Sequence, residues 1–223
     1  MKLFLIPTPI GNLEDITLRA LRLLKEVDLL LAEDTRKTTI LLKHFGIEKK
    51  MISYNKDNEH KSVKDIVDKI KGGASAGVVT DGGTPGISDP GYLLVSECLK
   101  NNIPVETLPG PTAFVPALVN SGLPSHNFVF EGFLPKKKGR RSRLNRLKNE
   151  DRTMIFYESP YRLVKTLAEF SSVFGTDRRA SVSRELTKMF EETKRGTLNE
   201  LYNYFSEKTV KGEIVVVVEG KMA

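Results

Sequence analysis

In the first half of the chain, segments whose apolar residues have helical spacing alternate with short continuous apolar runs. Ile16, Ala20, Leu23, Leu24 and Val27 recur at the spacing of one buried helix face. Apolar runs of about four or five residues lie before and after that segment and predict strands. The predicted strands are 3–6, 28–32, 76–80 and 105–108, and the predicted helices are 16–27, 35–44, 58–71 and one that starts at Asp89-Pro90 with Asp89 as N-cap.

The second half repeats this alternation. Proline and glycine cluster near 113–123, so we place a domain boundary there and expect domains at 1–113 and 114–223. The predicted strands of the second domain are 127–132, 153–157, 180–184 and 214–218, and its predicted helices begin at Ser159-Pro160 and span 196–206.

Alternating strands and helices are typical of an α/β fold built on a mainly parallel sheet. Ligands of such sheets bind beyond the carboxyl ends of the strands. Here the loops of unusual composition all follow predicted strands, at 7–12, 33–36, 81–88 and 109–113. We therefore expect these loops to meet along one edge of the sheet.

Composition argues against several classes of protein. No apolar run approaches the roughly 20 residues of a membrane helix, and the apolar N-terminus is too short for a signal peptide. Cys98 is the only cysteine, and His44, His60 and His126 lack the spacing of metal ligands. We expect a cytoplasmic protein without a metal or an internal disulfide, with Cys98 in the core.

The net charge of +7 is concentrated in one segment. Residues 136–148, the basic segment, hold eight basic and no acidic residues, whereas the rest of the chain holds 27 basic and 28 acidic residues. This pattern favours contact with a polyanion, and a solvated basic loop is the alternative. Phe128, Phe130 and Phe133 precede the segment, and their partial alternation favours strand core over a base-stacking surface.

The loop 81–88 is the most informative local feature. Gly82, Gly83 and Gly86 let the backbone approach a ligand closely, and Thr84 and Ser88 add hydroxyl groups. A tight strand-to-helix turn is the alternative. Neither GxxxxGK[ST] nor GxGxxG occurs, which removes support for kinases, other NTPases and dinucleotide-dependent dehydrogenases.

Charged residues follow other predicted strands. Glu33-Asp34-Thr35-Arg36 supplies candidate chemistry, or else a helix cap at Asp34 with an ion pair to Arg36. Glu158 is a second candidate, although Ser159 beside it fits a plain helix cap. The mixed charges of 184–188 fit a site or a solvated turn equally well.

Taken together, these segments resemble the tetrapyrrole methylase superfamily, and within it the ribosomal RNA small-subunit methyltransferase I group. Eight matching segments recur in order over nearly the whole chain, and their combination is highly specific. They are IPTPIGNLEDITLRAL (6–21), AEDTR (32–36), TDGGTPGISDPGY (80–92), LPGPTA (108–113), FEGFLPKKKGRR (130–141), FYESP (156–160), SRELTK (183–188) and GEIVVVVEG (212–220).

The resemblance implies two α/β domains, with a mainly parallel N-terminal sheet, a mixed C-terminal sheet and an S-adenosylmethionine site in the cleft between the domains. It also implies a homodimer that 2′-O-methylates a cytidine in the decoding region of small-subunit rRNA, so this RNA or the small subunit is the expected partner. The cofactor positions carried over are Ile10, Gly82, Gly83, Thr84, Ile87, Thr112, Ala113, Glu158 and Leu186. The basic positions expected to bind RNA are Lys136, Lys137, Lys138, Arg140, Arg141 and Arg143.

Tetrapyrrole-methylating members of the superfamily are the closest alternative. They typically carry GxGPGD in the first loop and GGDP in the third-strand loop, where this chain has PTPIGN (7–12) and GGTP (82–85). The basic segment also suits an RNA backbone better than a porphyrinoid. A non-catalytic RNA-binding protein is a further alternative. The group often continues into a short helical tail, whereas this sequence ends at Ala223.

A ribose 2′-hydroxyl is a poor nucleophile, so a base or a polarising cation is expected beside it. The candidate bases are Asp34 and Glu158, and Arg36, Arg184 or Lys188 would orient the ribose and phosphate. Asp34 and Arg36 rank first, because the corresponding position in the tetrapyrrole methylases need not serve a hydroxyl.

Overall fold

The computed structural model describes residues 1–221. They form two compact units, Met1–Thr112 and a second that begins at Ala113. Within these residues no helix is long and apolar enough to cross a bilayer. In the same part of the chain, no three His, Cys, Asp or Glu side chains are grouped so that they could hold a metal ion.

The first unit is built on a fully parallel sheet. Its strands are β1 (Lys2–Leu5), β2 (Leu29–Ala32), β3 (Met51–Ser53), β4 (Ser75–Val79) and β5 (Val105–Thr107). Its helices are α1 (Leu18–Glu26), α2 (Thr35–His44), α3 (Glu59–Lys71) and α4 (Tyr92–Lys100). The strand order is β3-β2-β4-β1-β5, and all neighbours are parallel.

Helices cover both faces of this sheet, because successive residues of the buried strands point to opposite faces. Leu3 and Leu5 pack with α3 and α4, whereas Ile6 packs with α1. Gly77 lets Ile6 and the end of α1 come close, since a Cβ there would lie 2.9 Å from Ile6 Cδ1 and 3.3 Å from Val27 Cγ2. Cys98 lies in this core, and burial raises the pKa of its thiol to about 11.

The second unit has a mixed sheet. Its strands are β6 (Phe128–Phe133), β7 (Thr153–Glu158), β8 (Arg179–Arg184), β9 (Glu192–Thr197) and β10 (Ile214–Val218). Its helices are α5 (Phe114–Ser121), α6 (Arg140–Leu147), α7 (Leu163–Phe174) and α8 (Leu198–Ser206). In the order β6-β7-β10-β8-β9 only β6 and β7 are parallel. The expected pairing of a parallel and a mixed sheet is confirmed.

The predicted start of α4 at Asp89-Pro90 is wrong. The helix begins at Tyr92, with Gly91 as its N-cap. Gly91 has a φ of 146°, and a Cβ there would lie 3.1 Å from the backbone nitrogen of Gly86. Pro90 therefore lies in the turn before the helix and not at the first helical position. The backbone conformation of the next residue, Gly91, is one that other residues rarely adopt.

Other differences from the predicted elements fall mainly in the second unit. Helix α7 starts at Leu163 rather than at Ser159, because residues 160–162 form a turn. Strands β3 and β9 and helices α5 and α6 were not predicted from the apolar pattern. Helix α6 lies inside the basic segment, so this segment is not simply a solvated loop.

Candidate functional site

The loops that follow β1, β4 and β5 lie side by side in the first unit, because these strands are neighbours in one parallel sheet. The Gly83 N–H donates to the Thr8 carbonyl at 2.8 Å, and the Thr8 N–H donates to the Gly83 carbonyl at 3.1 Å. Thr84 Oγ1 donates to the Pro111 carbonyl at 3.1 Å. The loop after β2 lies beside them, as its strand neighbours β4. We call the set the loop edge, formed by 7–12, 33–36, 81–88 and 109–112.

Glycine is required at the loop edge because the loops touch through their backbones. A Cβ on Gly110 would lie 2.5 Å from Pro7 Cβ, and a Cβ on Gly82 would lie 3.1 Å from the Pro9 carbonyl oxygen. Gly83 has a φ of 85°, in the left-handed region. Tight packing of turns therefore explains these glycines, and contact with a ligand must be argued from other groups.

Two threonine hydroxyls at or beside the loop edge are buried and lack a hydrogen-bond partner within residues 1–221. They belong to Thr80 and Thr112. Thr8 differs, since its Oγ1 donates to the Thr80 carbonyl at 3.1 Å. Buried polar groups in native proteins are usually paired with protein, water or ligand. These two hydroxyls are thus the strongest indication of a ligand at the loop edge, and that of Thr112 lies in the loop after β5.

The other cofactor positions implied by the resemblance lie in both units. In the first unit Ile10 is half-buried, whereas Ile87 is 38% exposed. In the second, Ala113 is the N-cap of α5. Leu186 is buried between two residues of positive φ, Glu185 at 51° and Thr187 at 67°. Non-glycine residues rarely adopt this backbone, and it is often associated with functional sites.

Asp34 and Arg36 bind each other. Asp34 Oδ1 accepts from the Arg36 backbone N–H at 2.9 Å and from its Nε at 3.0 Å, and Oδ2 accepts from Nη2 at 2.7 Å. These side-chain and backbone hydrogen bonds hold the pKa of Asp34 well below its usual range. The pair therefore forms the helix cap that the sequence allowed as the alternative, and Asp34 is poorly suited to accept a proton.

The environment of Glu33 is the opposite of that of Asp34, and the sequence did not indicate Glu33 as a candidate base. Its half-buried carboxylate accepts from the Asp81 backbone N–H at 3.4 Å. Burial, and then the charge of Asp89, raises the pKa of Glu33 above its ordinary value. The nearby cations have carboxylate partners, Lys37 with Asp81 at 2.6 Å and Lys56 with Asp89 at 3.9 Å. Such a carboxyl is suited to proton transfer.

Glu158, at the end of β7, is buried and engaged at both oxygens. Oε1 accepts from Arg162 Nη2 at 2.6 Å and from the Ser159 N–H at 2.7 Å. Oε2 accepts from Thr166 Oγ1 at 2.6 Å and lies 3.7 Å from Arg140 Nη2. This network fixes the start of α7 and leaves Glu158 poorly placed to take a proton from a substrate.

Arg140 has to be moved from the expected RNA-binding set to the core of the second unit. Its side chain is 9% exposed, and Nε donates to Glu169 Oε2 at 2.6 Å. Nη1 donates to the Pro135 carbonyl at 3.3 Å. Arg140, Leu144 and Leu147 form the buried face of α6. Deleting the basic segment would therefore damage the fold, and its role has to be tested by single substitutions.

The remaining cations of the basic segment lie at the surface. Arg143 pairs with Glu131, Nε to Oε2 at 2.6 Å and Nη2 to Oε1 at 2.8 Å. The other six form no ion pair with any residue that the structure describes, and all are exposed. They are Lys136, Lys137, Lys138, Arg141, Arg146 and Lys148. The surface of this unit thus presents a compact group of positive charge.

The expectation that three phenylalanines form strand core is wrong for two of them. Phe128 is 39% exposed and Phe133 is 56% exposed. A bulge shifts the register of β6 between Phe130 and Gly132, so that Phe133 lies opposite Tyr157. The ring centroids of Phe133 and Tyr157 are 5.5 Å apart. An extra residue in the strand therefore returns Phe133 to the face of Phe130 and leaves it open to solvent.

The loop after β8 is held by ion pairs. Arg184 Nε donates to Glu192 Oε2 at 2.7 Å. Lys188 Nζ donates to Glu185 Oε1 at 2.9 Å and to Glu213 Oε2 at 3.0 Å. Both cations that the sequence offered for orienting a ribose and phosphate thus already have carboxylate partners.

Sequence comparison finds likeness over nearly the whole chain. The sequence model of a family described as Tetrapyrrole (Corrin/Porphyrin) Methylases matches residues 2–202. Ribosomal RNA small subunit methyltransferase I of Thermotoga maritima is 48% identical over 220 residues, which are 99% of this chain and 99% of that protein. The protein of the same description from Halalkalibacterium halodurans is 49% identical over 219 residues, 98% of this chain and 75% of that protein.

Comparison with solved structures extends the likeness to the fold. A uroporphyrin-III C-methyl transferase from Thermus thermophilus, complexed with S-adenyl homocysteine, matches with a TM-score of 0.67. The match covers 99% of this chain and 98% of that one, at 19% sequence identity. At this identity the match supports the two-sheet architecture and says nothing about the methyl acceptor.

Proposed function

Because this chain belongs to the tetrapyrrole (corrin/porphyrin) methylase family, we propose that it transfers a methyl group from S-adenosylmethionine to the RNA of the small ribosomal subunit. The proposal rests mainly on the 48% sequence identity, over 99% of the chain, to a protein described as a small-subunit rRNA methyltransferase. The acceptor is the 2′-hydroxyl of a cytidine in the decoding region. The homodimer and the cytoplasmic location implied by the resemblance are part of this proposal.

The distribution of charge supports RNA over a tetrapyrrole as the acceptor. Six cations of the basic segment are exposed and unpaired within the described chain, and they lie within 13 consecutive positions, 136–148. RNA binding gains from each phosphate neutralised, because a condensed counterion is released. A small carboxylated macrocycle could engage few of these side chains at once.

The residues of the loop edge fit S-adenosylmethionine, which supplies a methyl group on a sulfonium. Thr112 offers a buried hydroxyl with no partner in the described residues, and Ile10 and Ile87 offer apolar side chains on other loops of the loop edge. Gly82, Gly83 and Thr84 would bind mainly through the backbone. Ala113, Glu158 and Leu186, which belong to the second unit, stay predictions of the resemblance. The protein's contribution is to position donor and acceptor for an in-line displacement.

Glu33 accepts the proton of the ribose hydroxyl in this proposal. The carboxylates chosen from the sequence are engaged elsewhere, Asp34 by Arg36 and Glu158 by Arg162 and Thr166. Glu33 lies at the loop edge, beside the backbone of Asp81. Arg36, whose side chain is 88% exposed, remains available to hold a phosphate with the part of its guanidinium that Asp34 does not bind.

Thr112→Val is expected to weaken the binding of S-adenosylmethionine by about 5- to 30-fold, the equivalent of one lost hydrogen bond. The free protein should lose no stability, since the change removes a buried hydroxyl that has no partner in the described chain. Isothermal titration calorimetry measures the affinity. Thr8→Val is the matched control: it removes a paired hydroxyl and should cost stability with little change in affinity. Unchanged affinity in Thr112→Val would exclude the hydroxyl from the cofactor site.

The methyl acceptor is identified by transfer of a tritiated methyl group. Assembled small subunits, free small-subunit rRNA and a uroporphyrinogen-type acceptor are offered separately. We expect label in RNA, within a dinucleotide that resists alkaline hydrolysis because its 2′-oxygen is methylated. Label in the tetrapyrrole would favour the alternative activity. RNA binding with no label in any acceptor would identify a non-catalytic RNA-binding protein.

A further inference from the structure

A cavity of about 320 Å³ lies in the second unit, between the end of β6 and helix α6. Its lining includes Phe133, Leu134, Pro135, Ser142, Arg143 and Arg146. Known small-ligand sites begin at roughly this size, about 300 Å³. The cavity can therefore hold one small group, and the chemistry of its walls decides which.

The lining of the cavity combines aromatic, apolar and cationic residues. Phe133, which is 56% exposed, is one of them. Ser142, Arg143 and the exposed Arg146 also line the cavity, together with Glu131. Glu131, whose side chain is 3% exposed, binds Nε and Nη2 of Arg143, and Nη1 takes no part in that pair. Arg143 is thus held in place before a ligand arrives, which lowers the entropy lost on binding.

We propose that this cavity binds one unpaired nucleotide of the RNA substrate, with its base stacked on Phe133 and its phosphate at Arg143 and Arg146. The inference rests on the proposed function and adds to it a site that distinguishes single-stranded from duplex RNA. Stacking on an aromatic ring accepts any base, because every base has a π face. The site therefore selects an unstacked nucleotide rather than a particular sequence.

A second copy of the chain is the competing occupant of this surface. In a two-fold interface each surface patch meets the same patch of the other copy. The exposed Lys136, Lys137, Lys138 and Arg141 next to the cavity would then face one another across the interface. Opposed like charges disfavour such an interface, whereas an RNA backbone would neutralise them. Charge therefore favours RNA here.

Phe133→Ala is expected to weaken the binding of a short single-stranded RNA of mixed sequence by about 5- to 100-fold, the range for loss of one stacked base. The affinity for duplex RNA should change much less, and Phe133→Trp should retain wild-type affinity. Phe128→Ala is the matched control, because Phe128 lies on the same strand and is 39% exposed but does not line the cavity. Fluorescence anisotropy gives the affinities. Because both rings are exposed, thermal unfolding should confirm that both variants remain folded.

Equal single-strand affinity in the wild type and in Phe133→Ala would overturn the proposal. So would a Phe133→Ala variant that binds RNA normally but dissociates into monomers, since this would assign the surface to a second copy. The methyl-transfer assay separates this inference from the proposed function. If small subunits are methylated with the same KM by the wild type and by Phe133→Ala, the cavity inference fails and the function stands. If no acceptor is methylated while Phe133→Ala still weakens RNA binding, the function fails and the cavity stands.

Discussion

Arg140→Ala is expected to lower the free energy of unfolding by about 3 kcal/mol or more, and to leave the salt dependence of RNA binding unchanged. The Arg140 side chain is 9% exposed, and it lies 2.6 Å from a carboxylate oxygen of Glu169 and 3.7 Å from one of Glu158, whose side chain is 1% exposed. Removing the guanidinium takes away one of the cations that compensate the buried carboxylate of Glu158. The resulting loss of stability exceeds the net stabilisation that the intact ion pair provides. The sequence has no Trp, so urea unfolding is best followed by far-ultraviolet circular dichroism.

Arg141→Ala is the matched control, because it makes the same change at the next residue of the same helix, where the side chain is exposed. Its stability should stay within about 0.5 kcal/mol of the wild type. With a single-stranded RNA, the slope of log affinity against log salt concentration should become shallower by about 0.7, the value for one phosphate contact. If Arg140→Ala instead keeps full stability and reduces this slope, its guanidinium reaches RNA in solution and the buried network does not hold.

Helix α6 shows a limit of the hydrophobic pattern. Arg140, Leu144 and Leu147 occupy the i, i+4 and i+7 positions of its buried face. The first of these is charged, so the stripe contains only two apolar residues and is too weak to predict a helix. Arginine can occupy it because Glu158 and Glu169 come from β7 and α7, and this tertiary neighbourhood is invisible in the local sequence.

The interior strands of both sheets were predictable because burial on both faces produces continuous apolar runs. Strand β9 (Glu192–Thr197) was not, since it lies at the sheet edge and contains no apolar residue. Charged edge strands prevent pairing with other chains, and this same property hides them from pattern analysis. Helix α5 was missed because Pro116 argues against a helix, yet it lies in the first turn, where proline removes no hydrogen bond.

The position of the loop edge could be predicted, whereas the roles of its charges could not. When strands and helices alternate along the chain and the strands are parallel, the loops that follow the strands lie at the same edge of the sheet. The isolated β-bridge between Thr8 and Gly83 shows that the loops after β1 and β4 meet there. Asp34 and Glu33 are adjacent in sequence and chemically alike. Their difference depends on the hydrogen bonds of Asp34 to Arg36, two residues away, and on the burial of Glu33 near the charge of Asp89, which is distant in sequence. Only the fold produces the second of these environments.

Glu33→Gln is expected to lower the rate of methyl transfer by about 10²- to 10⁴-fold, the range for loss of a general base. Glutamine keeps the shape of the side chain, and its carbonyl oxygen can still accept the hydrogen bond from the Asp81 N–H. It cannot take up the proton of a ribose hydroxyl. Cofactor affinity should therefore stay near that of the wild type, while the rate in a single turnover on small subunits falls.

The same substitution is expected to stabilise the protein at neutral pH. Burial, and then the charge of Asp89, raises the pKa of Glu33 above its ordinary value of 4.5, although the hydrogen bond from the Asp81 N–H and the charge of Lys56 lower it. The folded protein thus binds this proton more tightly than the unfolded chain, so ionised Glu33 opposes folding above the raised pKa. As pH falls through the raised pKa towards 4.5, the carboxyl becomes neutral and the stability gap between Glu33→Gln and the wild type closes.

Rate and stability together distinguish a catalytic Glu33 from a structural one. A base must be ionised, so the wild-type rate should rise with pH through the raised pKa, and this limb should be absent in Glu33→Gln. If Glu33 served only to hold the 81–88 loop in place, Glu33→Gln would be more stable than the wild type and would methylate at the normal rate. Asp34→Asn is the control, since asparagine can still cap the helix and only the ion pair to the exposed Arg36 is lost. This variant should keep most of the rate. If Asp34→Asn loses the rate and Glu33→Gln keeps it, Asp34 is the base despite its bond to Arg36.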